Sequence, residues 1–230
     1  MKKYSFLETW LEGRYRIDWY GKNWSLDKES YGYLSIDIVV PAHESLKQSA
    51  ESLQASWLKT HRYIQRAMKI VQLDKRSMLD HKEAEMIRTE LGKPPALCYP
   101  IYIISVEEKN VERVVYIGKT SSRKMRFRGG HTALTKLLDP AYDSLIKRLY
   151  LGGLVFLTDS GNTVPLEAVP LKQALKLLSS IEAQLIYQFQ PELNTHHKSK
   201  NNAKLPVDLH IQNLTGKTDF LNDSFCTPIS

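Results

Sequence analysis

Cys98-Tyr99-Pro100-Ile101-Tyr102-Ile103-Ile104-Ser105, followed after a short connector by Val114-Val115-Tyr116-Ile117-Gly118-Lys119, is the stretch from which the rest of the chain is read. Both segments are β-branched or aromatic, a composition that suits a half-buried pleated surface. Between them lies Glu107-Glu108-Lys109-Asn110, short and charged, so the pair predicts an antiparallel hairpin. Tyr102 and Tyr116 stand at matching places near the strand ends, and a buried phenol must find a hydrogen-bond partner. Gly118 closes the second strand and lets the backbone turn tightly or approach a ligand. The next stretch, Lys119-Thr120-Ser121-Ser122-Arg123-Lys124-Met125-Arg126-Phe127-Arg128-Gly129-Gly130-His131, is dense in cations and hydroxyls.

Pro100-Ile101-Tyr102 followed by Tyr116-Ile117-Gly118 resembles the paired motif of the GIY-YIG nucleases, a superfamily of homing, repair and restriction endonucleases. Pro100 replaces the first glycine of that motif, a change to the backbone that leaves the hydroxyl in place. Three further residues fall in family order. Arg126 lies eight residues after Gly118, where the family places its arginine. Glu182, in Ser180-Ile181-Glu182-Ala183-Gln184-Leu185-Ile186, resembles the family's metal-binding glutamate on a late helix. Asn194, ending Phe189-Gln190-Pro191-Glu192-Leu193-Asn194, resembles its closing asparagine. The resemblance covers residues 98 to 197 and is silent on the first ninety-odd.

What the resemblance implies is phosphodiester hydrolysis. A catalyst for it must supply a water losing its proton, a cation on the developing phosphorane charge and help for the leaving oxygen. Arg126 fits the second task, since its planar fork matches phosphate oxygens. Glu182 fits a hard divalent cation, Mg²⁺ or Mn²⁺; Mg²⁺ takes only one or two protein carboxylates. With one well-placed acid, a single metal is favoured over a pair. Tyr102 or Tyr116 orients or deprotonates the water, and the sequence does not choose between them. A phenol in that role needs cations beside it, and Lys119, Arg126 and the metal are the candidates. His131 relays a proton or holds a phosphate. Asn194 buttresses the site by hydrogen bonding. Lys119, Arg123, Lys124 and Arg128 are candidate phosphate contacts.

Each residue also has a plainer reading. Either tyrosine, taken alone, is an ordinary strand aromatic. Arg126 is one cation among several, and Arg128 is its main rival. Glu182 lies beside an otherwise apolar helical face, where a carboxylate needs a partner or a metal. A structural role suits His131 equally well. His196-His197 resembles half of a metal site without companion ligands at useful spacing, so a solvated tail is the better reading. Cys98 reads as a small buried hydrophobe. The functional reading rests on the joint order of Tyr, Tyr, Arg, Glu and Asn.

Whole-chain properties fit this frame. The 230 residues are 42% hydrophobic, enough for a substantial core. A net charge of +7 suits a polyanionic partner without naming one. Two cysteines, Cys98 and Cys226, exclude a disulfide framework and a Cys-rich zinc site. There is no signal-peptide pattern and no run of about 18 apolar residues, so a cytoplasmic protein away from membranes is expected.

In chain order, residues 1–41 cluster Trp10, Tyr15, Trp19, Tyr20, Trp24, Tyr31 and Tyr33 among basic residues. These aromatics stack on bases or, more simply, form a small core. Leu34 to Val40 alternates up to Pro41 and predicts a strand. Residues 42–92 predict two helices, the second from about Asp80 to Leu91. Their basic faces, which include Lys59, His61, Arg62, Arg66, Lys69, Lys75, Arg76 and Lys82, read as DNA-facing or merely solvated. Pro94-Pro95 marks the expected boundary between a mainly helical N-terminal domain (1–95) and the nuclease module (96–197). A short helix is expected between Arg126 and Leu138. Asp143 to Leu151 shows a helical stripe ended by Gly152-Gly153. Apolar runs on either side of Asp159-Ser160-Gly161-Asn162 predict a further hairpin. Leu171 to Phe189 predicts a long helix, and 198–230 an irregular polar tail.

The expected protein is α+β: a small, mostly antiparallel sheet flanked by helices, preceded by a helical domain. Its expected partner is double-stranded DNA. One module offers one active site, so cutting both strands requires a homodimer or two successive nicks. A restriction or defence enzyme is the leading expectation. A repair or recombination nuclease that reads DNA structure, and a non-catalytic nucleic-acid-binding protein on a nuclease scaffold, are the alternatives.

Overall fold

The computed structural model describes residues 5–17, 31–48, 51–72, 78–121, 131–157, 163–205 and 207–227. Its elements in chain order are α1 (Phe6–Leu11), β1 (Tyr31–Pro41), α2 (Leu53–Ile70), α3 (His81–Leu91), β2 (Ile101–Glu108), β3 (Val111–Lys119), α4 (Thr132–Lys136), β4 (Ile146–Leu157), β5 (Thr163–Pro165), α5 (Leu171–Phe189), β6 (Asp208–Asn213) and β7 (Ser224–Cys226). The architecture is α+β, one mixed sheet flanked by helices, with strand order β3-β2-β4-β1-β6-β7 and β5 paired to β4.

The predicted hairpin is β2–β3, with Tyr102 opposite Gly118 and Ile104 opposite Tyr116. Its turn is Lys109-Asn110, both at positive φ (50° and 67°). That geometry matches the right-handed twist of the flanking strands, and asparagine tolerates it well. Strand alternation then separates two cores. Ile101, Ile103 and Ile117 face α5 and join Leu177, Leu178, Ile181 and Leu185. Tyr102, Ile104, Val106 and Val115 face the other way and pack with Ala133, Leu137, Leu149 and Leu151.

A helix is not what Asp143 to Leu151 forms. The segment follows a short 3-10 turn at Pro140–Tyr142 and enters β4, a 12-residue strand that runs straight through Gly152-Gly153. Both faces of β4 are covered, so its apolar residues form a continuous run without a period of two. Leu145, just before β4, and Leu149 within it have the four-residue spacing of a helical stripe. The glycine pair is there for packing: a Cβ on Gly152 would stand 2.6 Å from Leu34 Cδ1 on β1. Along one edge β4 pairs with β1. Along the other it pairs with β2 and then with β5, the expected second hairpin, whose turn lies outside the described residues.

β1, from before Pro94-Pro95, sits inside the sheet between β4 and β6, antiparallel to the first and parallel to the second. The diproline is therefore no break in the sheet. Residues 207–227, expected to belong to an irregular tail, supply β6 and β7 instead. Gln184 of α5, fully buried, fixes this segment. Its side-chain amide donates to the carbonyls of Val207 (2.7 Å) and Cys226 (2.9 Å) and accepts from the Val207 N–H (3.2 Å).

Residues 42–47 form a 3-10 helix, and α2 begins only after Ser52, whose side chain accepts from the Ala55 N–H. α3 begins with a capping box of Asp80 and Glu83. α1, α2 and α3 share a separate core around Phe6, Leu7, Trp10, Ile64 and Ile87. Trp10 is core, as its plainer reading has it, whereas Trp19, Tyr20 and Trp24 lie outside the described residues. The basic face of these helices is partly committed: Lys59 pairs with Glu51 at 2.6 Å, and His61 stacks on Trp57 and bonds the Glu167 carbonyl. Lys75 and Arg76 lie outside the described residues.

Glu167 ties α2 to the sheet. Its fully buried carboxyl accepts from the Ser56 hydroxyl (2.9 Å) and the Cys98 N–H (2.8 Å). Burial pushes the Glu167 pKa up, partly offset by these hydrogen bonds. A group whose folded pKa is raised stabilises fully below its unfolded pKa and loses that contribution as pH rises through the folded value. Glu167→Gln, which keeps the accepting oxygen, is expected to flatten the decline of stability as pH rises above the ordinary carboxyl pKa of about 4.3. Urea midpoints of both proteins measured across that rise check this, and parallel declines would overturn it.

Candidate active site

The site begins with a crowded contact in the hairpin. The Tyr102 ring lies over Gly118 so closely that an added Cβ would stand 2.3 Å from Oη and 2.4 Å from Cζ. Glycine is the one residue that leaves this phenol its place. Tyr102 is fully buried, and its Oη shares a 2.8 Å hydrogen bond with His131 Nε2. The rings of Tyr102 and Tyr116 stack with centroids 6.0 Å apart. The His131 ring stands edge-on to both, at 5.3 and 5.4 Å. His131 holds extended backbone at the N-terminus of α4, which places its side chain on this pair.

Asn194 fixes the strand that carries Tyr116. Its Oδ1 accepts from the Ile117 N–H at 2.9 Å, and its Nδ2 donates to the Ile117 carbonyl at 2.9 Å. Leu193 N–H adds a bond to the Val115 carbonyl at 2.9 Å. The chain after α5 thus satisfies the outer edge of β3 from Val115 to Ile117. Asn194 is thus a structural tie on the strand that carries Tyr116.

Glu182 sits in the middle of α5, which packs against the hairpin. Lys119 at the end of β3 reaches it, Nζ to Oε2 at 2.7 Å, in a mostly shielded pair. Tyr116, Glu182 and Asn194 line one cleft of about 270 Å³, together with Thr132 and Lys136 of α4 and with His196 and His197. Glu182 is the one acid lining it among the described residues.

The structure therefore brings together Tyr102, Tyr116, His131, Lys119, Glu182 and Asn194. The two tyrosines are not equivalent: Tyr116 borders the cleft, whereas Tyr102 is enclosed behind it against His131. Arg123, Lys124, Arg126 and Arg128 lie outside the described residues. His196 and His197, read as a solvated tail, stand at the cleft because Asn194 pins the chain just before them. Lys136 and Thr132 drew no attention in the sequence, where a lone lysine or threonine on a short helix carries no signal.

A divalent cation can be tested against these donors. Among the described residues no cluster of three or more His, Cys, Asp or Glu side chains forms a cage. Among the described residues no donor set suits a transition metal that needs several protein ligands. A hard cation that takes one carboxylate, keeps most of its water and shares a phosphate fits Glu182. No helix among the described residues is long and apolar enough to cross a membrane. No family model, curated protein or solved structure matches the chain.

Proposed function

We propose that the chain is a Mg²⁺-dependent DNA endonuclease of GIY-YIG type that hydrolyses phosphodiester bonds, with restriction or another form of defence as its role. The observation that carries this reading is the meeting of Tyr116, Glu182 and Asn194 in one cleft, from positions spread over 79 residues of sequence. Glu182 would hold the cation, which when bound polarises a phosphoryl oxygen and acidifies water. Tyr116 borders the space a water or phosphate would occupy and is the better placed phenol to orient the nucleophile. Tyr102 and His131 act behind it, holding its ring in position. Lys119, paired with Glu182 at 2.7 Å, would turn its ammonium to a phosphate oxygen once the cation takes the carboxylate. Asn194 keeps β3, and with it Tyr116, in register. Arg126 keeps its proposed role as the guanidinium on the developing charge.

The test is incubation with defined plasmids and Mg²⁺ or Mn²⁺, followed by sequencing of the ends. Nicked or linear products with fixed ends are expected. Cutting confined to branches or flaps would assign the chain to repair or recombination. DNA binding with no cutting under either ion would make it a non-catalytic binder and overturn the proposal.

A further inference from the structure

The cleft continues past Glu182. His197 lines both the cleft and a second, larger groove of about 1010 Å³, and Lys119, the ion-pair partner of Glu182, also lines that groove. One wall is the N-terminal half of α5, bearing Lys172 and Lys176; the other includes Lys204 from the chain that returns after α5. Leu175 and Leu205 add apolar lining. No acidic residue lines the groove among the described residues. Lys172, Lys176 and Lys204 are all exposed. Asn202 holds the His197 ring, Nδ2 to Nδ1 at 3.2 Å, at the junction of the two spaces.

This is a one-signed channel whose inner end is the proposed site of hydrolysis. Like charges along a concave wall focus the field and draw a polyanion in. Lys172 and Lys176 are four residues apart on α5, about 6 Å along the axis, so their ammonium groups address different phosphates. We propose that the groove is the track for one DNA strand, holding the phosphates that flank the one to be cut. The inference rests on the nuclease reading of the cleft. It adds where the strand runs: along α5, over His197 and Lys119, and away from the basic faces of α2 and α3.

The test measures binding of the full chain to a labelled single strand and to its duplex, without divalent ions, between about 50 and about 200 mM salt. In Lys172→Ala/Lys176→Ala/Lys204→Ala, the slope of log affinity against log salt is expected to shrink by about one per lysine. The affinity loss at the low-salt end should be at least on the order of tenfold, for both forms of DNA. Arg62→Ala/Arg66→Ala/Lys69→Ala, with equal loss of charge on the exposed face of α2, is expected to keep the parent slope. An unchanged slope in the groove variant, an equal loss in the α2 variant, a loss confined to the duplex, or no binding by the parent protein would each overturn the track. If the groove variant behaves as expected but the parent protein never cuts DNA, the track stands and the nuclease reading falls. If cutting depends on Glu182 while the groove variant binds normally, the reverse holds.

Discussion

Glu182→Ala is expected to lower Mg²⁺-dependent plasmid cleavage by roughly 10²–10³-fold, the loss typical of removing one electrostatic group from an active site. DNA binding should be retained or slightly tightened, because a negative charge leaves a site meant for phosphate. The fold should tolerate the change. Glu182 is mostly shielded but not sealed in, and its partner Lys119 has a flexible stem by which its ammonium can reach water. Glu182→Gln sharpens the result. It keeps the size and one acceptor but not the charge, so a metal ligand predicts a loss close to that of alanine. A carboxylate that merely pairs with Lys119 predicts normal cutting in both. Cleavage rates under single-turnover conditions, with binding measured in parallel, decide the matter. Unchanged cutting in either variant removes Glu182 from the site.

Gly118→Ala is the second large expected effect, and it acts through Tyr102. A methyl group there would overlap the Tyr102 phenol, at 2.3 Å from Oη and 2.4 Å from Cζ. The ring has no free direction, since Tyr102 is fully buried between His131 and the hairpin. Overpacking of this kind costs about 1–3 kcal/mol. For a chain of this size that lowers Tm by about 2–4 °C per kcal/mol. Activity should fall further than stability, because a displaced Tyr102 loses His131 and shifts the stacked Tyr116. Tyr102→Leu removes the end of the ring that the methyl meets. In the double variant part of the lost Tm should return while the activity does not, a non-additivity expected only of residues in contact. A Gly118→Ala protein that melts and cuts like its parent would overturn this account of the hairpin.

The parts of the structure legible in the sequence share one property: their pattern is local. The β2–β3 hairpin shows in its β-branched runs and its Lys109-Asn110 turn. α5 shows in a long apolar stripe ended by Pro191. α3 shows in Asp80, Glu83 and the closing Gly92. β4 was misread because its surroundings are nonlocal. With both faces buried it lacks alternation, and only β1 on one edge and β2 on the other make sense of Gly152-Gly153. β6 is a different miss. Asp208-Leu209-His210-Ile211-Gln212-Asn213 alternates strictly, with Leu209, Ile211 and Asn213 buried, and that signal was present in a segment read as tail. The motif order singles out Tyr116, Glu182 and Asn194, which line one cleft, but does not rank the tyrosines. The enclosure of Tyr102 depends on Gly118 and on His131, which stands 29 residues after Tyr102.

The position of β1 limits what could be made from this protein. Because that strand is clamped between β4 and β6, a fragment starting beyond the diproline would bare the long flank of β4 and orphan β6 and β7. Bared flanks of that kind invite edge-to-edge aggregation. The motif-bearing segment is thus not a portable cartridge that can be spliced onto a foreign DNA reader. New specificity would be grafted more safely into the exposed connections, with the whole scaffold carried along.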